Sequence, residues 1–426
     1  MELFDKTRTG SGFWSLTDQA IVSLGNFLTN ILLARELAPK EYGTYAILLG
    51  VLLVIYGTHG AIVTYPLLLL GSSESQDGVR SLTVFSMWLT SGIGLVFGAG
   101  LIIGCRAFAR PSLGPWVAAA IFFWIAQESV RRGLMADMRF RGAIWGDAIS
   151  YLGQAAVIYL LAHIGRLSIE SAFGAIAATS LIATVVQSAQ LGIRSLRLRE
   201  ARSFLGRFWN LGRWMALSNF TGIFSVQFFP WALAWLQGAS MAGAFQALSN
   251  VVGVTNPIFI SVANLIIPAS GRARSERGPK AAFHEAVRYG AQGAFFVLPY
   301  LILVLIWPHQ VLSILYGRHS DYANLTTALR IFSAAQFVYY VAVVLATLLN
   351  ALGHTRTTFY VLVVSALVTI GLGIPFVIWK GLLGAVVTMS LGILVRAVLL
   401  WFAAQRQILE FQVDRVESQE IAQSLP

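Results

Sequence analysis

The chain is poor in charge, in lysine and in cysteine, and each shortage excludes something. Charged residues make up 12% of its 426 positions, about half the share usual in a soluble domain. One cysteine, Cys105, leaves no partner for an internal disulfide, so it reads as a small packing residue. None of the few lysines lies in a GxxxxGK[ST] phosphate loop, and there is neither an HExxH pair nor a Cys/His cluster with metal-ligand spacing. ATP hydrolysis by the chain itself, metal-dependent catalysis and a resident cofactor are therefore not expected. Long polar segments are scarce too. The longest run from Arg194 to Arg213, from Gly271 to Arg288 and along the tail from Arg406, which is too little for a separate catalytic module.

Apolar residues dominate instead, at 57% of the chain with a mean hydropathy of +0.70. Runs of about 20 apolar residues recur throughout, each long enough to cross a hydrocarbon core of about 30 Å as a helix. The expected fold is an all-α integral membrane protein with twelve spans. They fall near 13–35, 43–70, 81–103, 114–133, 143–164, 171–193, 212–236, 242–269, 283–307, 325–350, 357–379 and 382–404. The first is too long for a removable signal peptide and lacks a small-residue cleavage site.

An even number of spans puts both ends of the chain on one side. With that side cytoplasmic, its segments hold 21 Lys and Arg against 8 on the other, and Arg396 lies inside the last span. The excess favours cytoplasmic termini in the cell's inner membrane. The net charge of +11 thus marks topology in short loops, and nucleic acid is not an expected partner.

The chain also resembles itself. "ARELAPKEYGTYAILLG" at 34–50 aligns without gaps on "AWLQGASMAGAFQALSN" at 234–250, matching Gly43 with Gly243 and Tyr45 with Phe245. Two six-helix bundles of the same orientation follow, at 13–193 and 212–404. They are flanked by an N-terminal segment 1–12, a basic linker 194–211 and a tail 405–426. A parallel repeat is an architecture of transporters.

Several spans carry polar stripes. At 100° per residue, Ser15, Asp18, Gln19, Ser23, Asn26, Thr29 and Asn30 fall within an arc of about 140° on the first helix. Gln246, Asn250, Gly253, Pro257, Ser261 and Asn264 form a stripe on the eighth helix, and Gln336, Tyr340, Thr347 and Asn350 one on the tenth. The fifth begins with Asp147, Tyr151 and Gln154. Such groups either bond neighbouring helices or line a hydrated cavity. Their recurrence in both halves favours the cavity, with Asp18, Asn26, Asn30, Asn219, Gln246, Asn250, Asn264, Gln336 and Tyr340 as candidate substrate contacts. Ionisable groups within spans usually mark a pathway. Asp18, Glu128 and Asp147 are the coupling-ion candidates, although Glu128 can also pair with Arg131 or Arg132 one turn on. His59 reads as a packed polar residue.

"ARELAPKEYGTYA" resembles the "ARxLGPxxYGxxA" junction between the first two helices of the polysaccharide transporter family. These are the Wzx-type flippases of the multidrug/oligosaccharidyl-lipid/polysaccharide exporter superfamily. "DQAIVSLGNFLTNILL", "ILYGRHSDYANLTTALRIFSAAQF" and "NALGHTRTTFYVLV" are similar to that family's pattern as well. Ala38 stands where the family usually has Gly, and the seventh helix, "SVQFFPWALAWLQG", lacks the acidic residue that many members carry there. The resemblance implies a flippase for a polyprenyl-diphosphate-linked oligosaccharide, used in O-antigen or exopolysaccharide synthesis. Membrane lipids, a polysaccharide polymerase and glycosyltransferases are its implied partners. The alternatives are a cation-coupled multidrug exporter and a non-transporting component of a polysaccharide assembly complex. A diphosphate needs cations near the bilayer, and arginine supplies paired charge-assisted bonds. Arg213 and Arg396 are the first candidates, followed by Arg35, Arg288 and Arg330.

The topology is open to direct test. In a Cys105→Ala background, a cysteine at Ser203 should resist an impermeant thiol reagent added to intact cells, and one at Asn324 should react. The reverse pattern would invert the orientation.

Overall fold

A computed structural model describes residues 2–72, 74–193 and 198–424, nearly all of them helical. Residues 194–197, the start of the expected basic linker, lie outside that set. The helices are α1 (Glu2–Glu36), α2 (Pro39–Gly71), α3 (Gln76–Ala107), α4 (Leu113–Ala136), α5 (Phe140–His163) and α6 (Ile169–Leu191). They continue as α7 (Leu198–Gln237), α8 (Ala239–Gly253), α9 (Asn256–Arg277), α10 (Pro279–Ile306), the short α11 (Pro308–Tyr316), α12 (Thr326–Ala351) and α13 (Thr355–Ser424).

Among the described residues, eight helices are individually long and apolar enough to span a membrane. The pair α8 and α9, bent by 49° at a short break, makes a ninth candidate. Two expected spans are merged in α13, which breaks where Gly381 takes φ 53° and ψ −128°. The remaining two, α1 and α7, fall short of that apolarity because their polar residues dilute it. The fold is thus all-α, with about twelve crossings.

Local chemistry sets the helix ends. Pro39 opens α2, where its missing N–H costs nothing. Ser75 caps α3 by accepting from the Gly78 N–H. Ser168 and Ser171 cap each other's backbone at the start of α6, and Gly192 ends that helix in the left-handed region. Two helices carry a π turn, Gly60–Thr64 in α2 and Ala148–Leu152 in α5. Each follows a buried ionisable residue, His59 and Asp147 respectively.

By contacts the chain divides into two compact units, Met1–Ala247 and Leu248–Pro426. In the first, α4 packs on α3 and α6, α1 lies along α5, and α2 lies along α7. Before its apolar stretch begins, α7 is anchored by Phe208, which sits with Leu67, Leu82 and Phe85 in a buried cluster. In the second, α9, α10 and α12 pack together and α12 pairs with α13. The core there joins Phe259, Val262, Ile266, Val297 and Tyr340.

Small residues allow the closest helix approaches. A Cβ on Gly25 of α1 would lie 2.6 Å from the backbone carbon of Tyr151 in α5, and one on Gly43 would meet the Ala239 carbonyl. Gly100, on the outer face of α3, has nothing within 4 Å. Gly25→Ala should therefore destabilise the detergent-purified protein by about 1–3 kcal/mol, the cost of overpacking. Gly100→Ala should be neutral or stabilising by up to about 1 kcal/mol. Thermal unfolding followed by tryptophan fluorescence checks both, and equal midpoints for the two variants would refute the close α1–α5 packing.

Candidate functional site

Three helices of the first unit each contribute one stripe to the same region. On α1 the stripe is Asp18, Gly25, Asn26, Thr29 and Asn30, with Leu24 and Leu28 exposed on the other side. On α4 it is Trp124, Gln127, Glu128 and Arg131, and on α5 it is Asp147, Tyr151 and Gln154. Spacings of three, four and seven residues keep such side chains on one helix face.

At one level the stripes meet as charge. Arg131 is 5% exposed and bonds three carboxylates on three helices. One Nη donates to Asp18, Nε donates to Asp147 at 2.5 Å, and the other Nη donates to Glu128 at 3.1 Å. Arg132 adds a second cation to Glu128, with Nε 2.5 Å from its carboxylate. Gln127 donates to Asp147 at 2.8 Å, and Gln187 of α6 donates to the Ala143 carbonyl at 2.9 Å beside it. Three carboxylates thus face two guanidinium groups. One oxygen of Asp18, itself 98% buried, has no hydrogen-bond partner among the described residues.

About one to three turns further along the stripes, some 6–18 Å at 1.5 Å per residue, the chemistry becomes neutral. A cavity of about 200 Å³ is lined by Asn26, Asn30, Tyr45, Leu49, Leu53, Trp124, Tyr151, Gln154, Ile176 and Gln246. Its walls are braced. The Trp124 indole N–H donates to the Tyr151 hydroxyl at 3.2 Å, Tyr56 stacks on Trp124 at 4.9 Å, and Gln154 donates to Thr29 at 3.1 Å. The Asn30 amide donates to the Asn26 carbonyl at 2.9 Å, which leaves its own buried oxygen without a donor. Tyr151 belongs to the π turn of α5, a distortion frequent at functional sites.

Other sequence candidates lie elsewhere. Gln336 is buried at the α8–α9 break, donating to Val252, Thr255 and Asn256, and so satisfies groups that the bend leaves free. Tyr340 donates to the Gly290 carbonyl at 2.6 Å within the core of the second unit. Asn219 and Asn250 are half-buried, and Asn264 is exposed. Arg396 is half-buried over the Tyr339 ring at 5.9 Å, with its Nε lacking a hydrogen-bond partner. An apolar groove lined by Val341, Leu345, Val398 and Trp401 does not include that arginine. Arg288 is held by Glu285 at 2.8 Å and Arg330 donates to the Leu305 carbonyl, whereas Arg35 and Arg213 are exposed. His59 is packed, its Nε2 bonded to Thr90 at 2.9 Å and Ser129 at 3.2 Å.

The residue that sequence reasoning undervalued is Arg131. At the end of an apolar run it reads as one more cation marking topology, yet α4 continues to Ala136 and carries it inside. The available signal was Arg131 three residues after Glu128 on the face of Trp124. Outside the spans, Arg110 between α3 and α4 grips Glu41 through two bonds of 2.8 and 2.9 Å. That carboxylate holds the Arg110 proton more firmly than usual.

Comparisons with known proteins agree with this architecture. A family model described as "Polysaccharide biosynthesis protein" matches residues 32–324, and one described as "Lipid II flippase MurJ" matches residues 258–421. The succinoglycan biosynthesis transport protein ExoT of Rhizobium meliloti (strain 1021) is 26% identical over 291 residues, which are 64% of this chain and 55% of that protein. The chain therefore spans only about half the length of that relative. Among solved structures, a multidrug resistance MATE family transporter of the MOP superfamily matches with TM-score 0.79 and 14% identity, over 92% of this chain and 95% of that one. A MOP superfamily transporter from Pyrococcus furiosus matches with TM-score 0.67 and 12% identity, over 96% of each chain. At such identities the likeness establishes the fold.

The buried cluster makes a stability prediction. Arg131→Gln strands Asp18 and Asp147, with Glu128 left to Arg132, and should cost about 3–5 kcal/mol, the usual penalty for breaking a buried pair. Adding Asp18→Asn should recover part of that loss, because it removes one stranded charge. Thermal midpoints of the purified single and double variants decide the matter. A single variant as stable as the parent would mean that water already solvates the cluster.

Proposed function

The chain belongs to the polysaccharide biosynthesis protein family, and from that premise we propose a flippase for polyprenyl-diphosphate-linked oligosaccharide. It would carry that lipid from the cytoplasmic to the outer leaflet of the inner membrane, for exopolysaccharide or O-antigen synthesis. The protein is a multi-pass membrane transporter and not an enzyme. The observation that carries the reading is the cavity of the first unit, walled by amides and aromatic rings with no charged lining residue. Amides exchange hydrogen bonds with sugar hydroxyls at little net cost, and aromatic faces suit the apolar face of a sugar ring. The names of the matched family models and of the Rhizobium relative point the same way.

In this reading the two six-span bundles, 13–193 and 212–404, expose the substrate path to one side of the membrane and then to the other, with both termini cytoplasmic. Asn26, Asn30 and Gln246 contact sugar. Arg396, half-buried and with Nε unengaged, is the best-placed cation for the diphosphate, and Arg213 serves near the cytoplasmic entrance. The buried ion cluster supplies the coupling. With Asp18, Glu128 and Asp147 facing Arg131 and Arg132, one negative charge is left for a single proton or sodium ion. A polymerase and glycosyltransferases would consume and supply the lipid-linked sugar.

A cation-coupled multidrug exporter is the second reading, supported by the shared fold. It calls for acidic groups in the cavity itself. Here the carboxylates are paired with arginine one turn away from it.

The test is complementation of a flippase-null strain with variants checked for expression. Arg396→Ala and Arg213→Ala should each reduce surface polysaccharide, and Lys should rescue only in part because it lacks the bidentate fork. Full restoration by both alanine variants would remove the arginines from the diphosphate path.

A further inference from the structure

Building on the transport reading, we propose that the cavity of the first unit is a subsite for one neutral pyranose, stacked on Trp124 and donating a hydroxyl to Asn30, which excludes acidic sugars and the diphosphate itself. Its size fits a single ring: about 200 Å³ is the room of roughly six or seven waters at about 30 Å³ each.

Its hydrogen-bonding demand is specific. One N–H of the Asn30 amide goes to the Asn26 carbonyl, while its buried oxygen has no donor among the described residues. A buried acceptor left unpaired is costly, and a ligand that relieves it must bring an O–H or N–H. Sugar hydroxyls do so. A carboxylate or a diphosphate brings acceptors alone and leaves the oxygen stranded.

The aromatic geometry is set in advance. Tyr56 covers one face of Trp124 and the Tyr151 hydroxyl takes its N–H, so the indole is held in a fixed plane where it lines the cavity. Such a platform suits the C–H face of a pyranose.

Charge opposes anions. No lining residue is charged, and Asp147, four residues before Tyr151, belongs to a cluster with more carboxylates than guanidinium groups. In a medium of low dielectric a second anion one turn away is strongly disfavoured. The subsite thus selects the sugar end of a lipid-linked substrate, and the diphosphate must be met elsewhere.

The experiment uses the full chain in lipid nanodiscs and three synthetic probes: farnesyl diphosphate, farnesyl diphosphoryl glucose and its glucuronic acid counterpart. The neutral glucosyl group should tighten binding at least about tenfold over the bare diphosphate, and the glucuronyl group should add nothing. Trp124→Ala and Asn30→Leu should erase the glucosyl increment, with Trp124→Phe keeping part of it. A glucuronyl gain equal to the glucosyl gain, or an increment that survives both substitutions, would overturn the proposal. Saturation-transfer NMR with methyl glucoside and methyl glucuronide needs no lipid and separates the two claims. Trp124-dependent signal from the glucoside alone, without binding of farnesyl diphosphate, would uphold the subsite and sink the flippase reading. No signal from the glucoside and no glucosyl increment would sink the subsite.

Discussion

The first unit is organised around one cation that cannot leave it. A guanidinium taken out of water into a protein interior is penalised by several kcal/mol even after relaxation, and the penalty is recovered only where its donors meet acceptors in good geometry. Arg131 meets three carboxylates, and they come from α1, α4 and α5. Any slide of one helix by a turn would separate a carboxylate from its partner. The cluster therefore fixes the relative register of α1, α4 and α5. Everything one to three turns further along inherits that register, including Trp124, Tyr151, Asn26 and Asn30.

Register alone does not make a cavity. The α1 and α5 backbones come close because Gly25 has no side chain, and Tyr151 reaches its place through a π turn that inserts one extra residue after Asp147. The second unit shows what happens without these devices. Gln336 and Tyr340 are the same kinds of residue on an equally polar stripe, yet they are consumed by the α8–α9 break and by the Gly290 carbonyl. A polar stripe on a membrane helix therefore has two destinies. Which one it meets depends on whether a neighbouring backbone has unpaired groups to be satisfied.

That divergence marks how far the sequence could be read. Span positions follow from apolar runs because lipid imposes one length on every crossing, and Pro39, Ser168 and Gly192 announce their helix ends by local chemistry. The lipid face of α1 was legible as well, since Leu24 and Leu28 oppose Asp18 and Thr29. Pairing across 113 positions, as between Asp18 and Arg131, leaves no local trace. Neither does a π turn, whose backbone shift depends on tertiary packing. The dual role of Glu128 was half visible, because its bonds to Arg131 and Arg132 span one helical turn.

The same physics divides the demands of a lipid-linked sugar. Hydroxyl groups can exchange water for amides with little change in free energy, so on the proposed reading the neutral cavity beside the ion cluster suffices for them. A diphosphate cannot make that exchange, because its charge requires compensating cations wherever water is excluded. The arginines of the cluster are already paired with carboxylates, and releasing Arg131 to a phosphate would strand Asp18 and Asp147. Among the described residues within spans, Arg396 is different in kind: half-buried, resting on an aromatic face, and with one N–H still unspent. The best-paired arginine of the described residues thus serves architecture, and the proposed diphosphate contact falls to one whose pairing is incomplete.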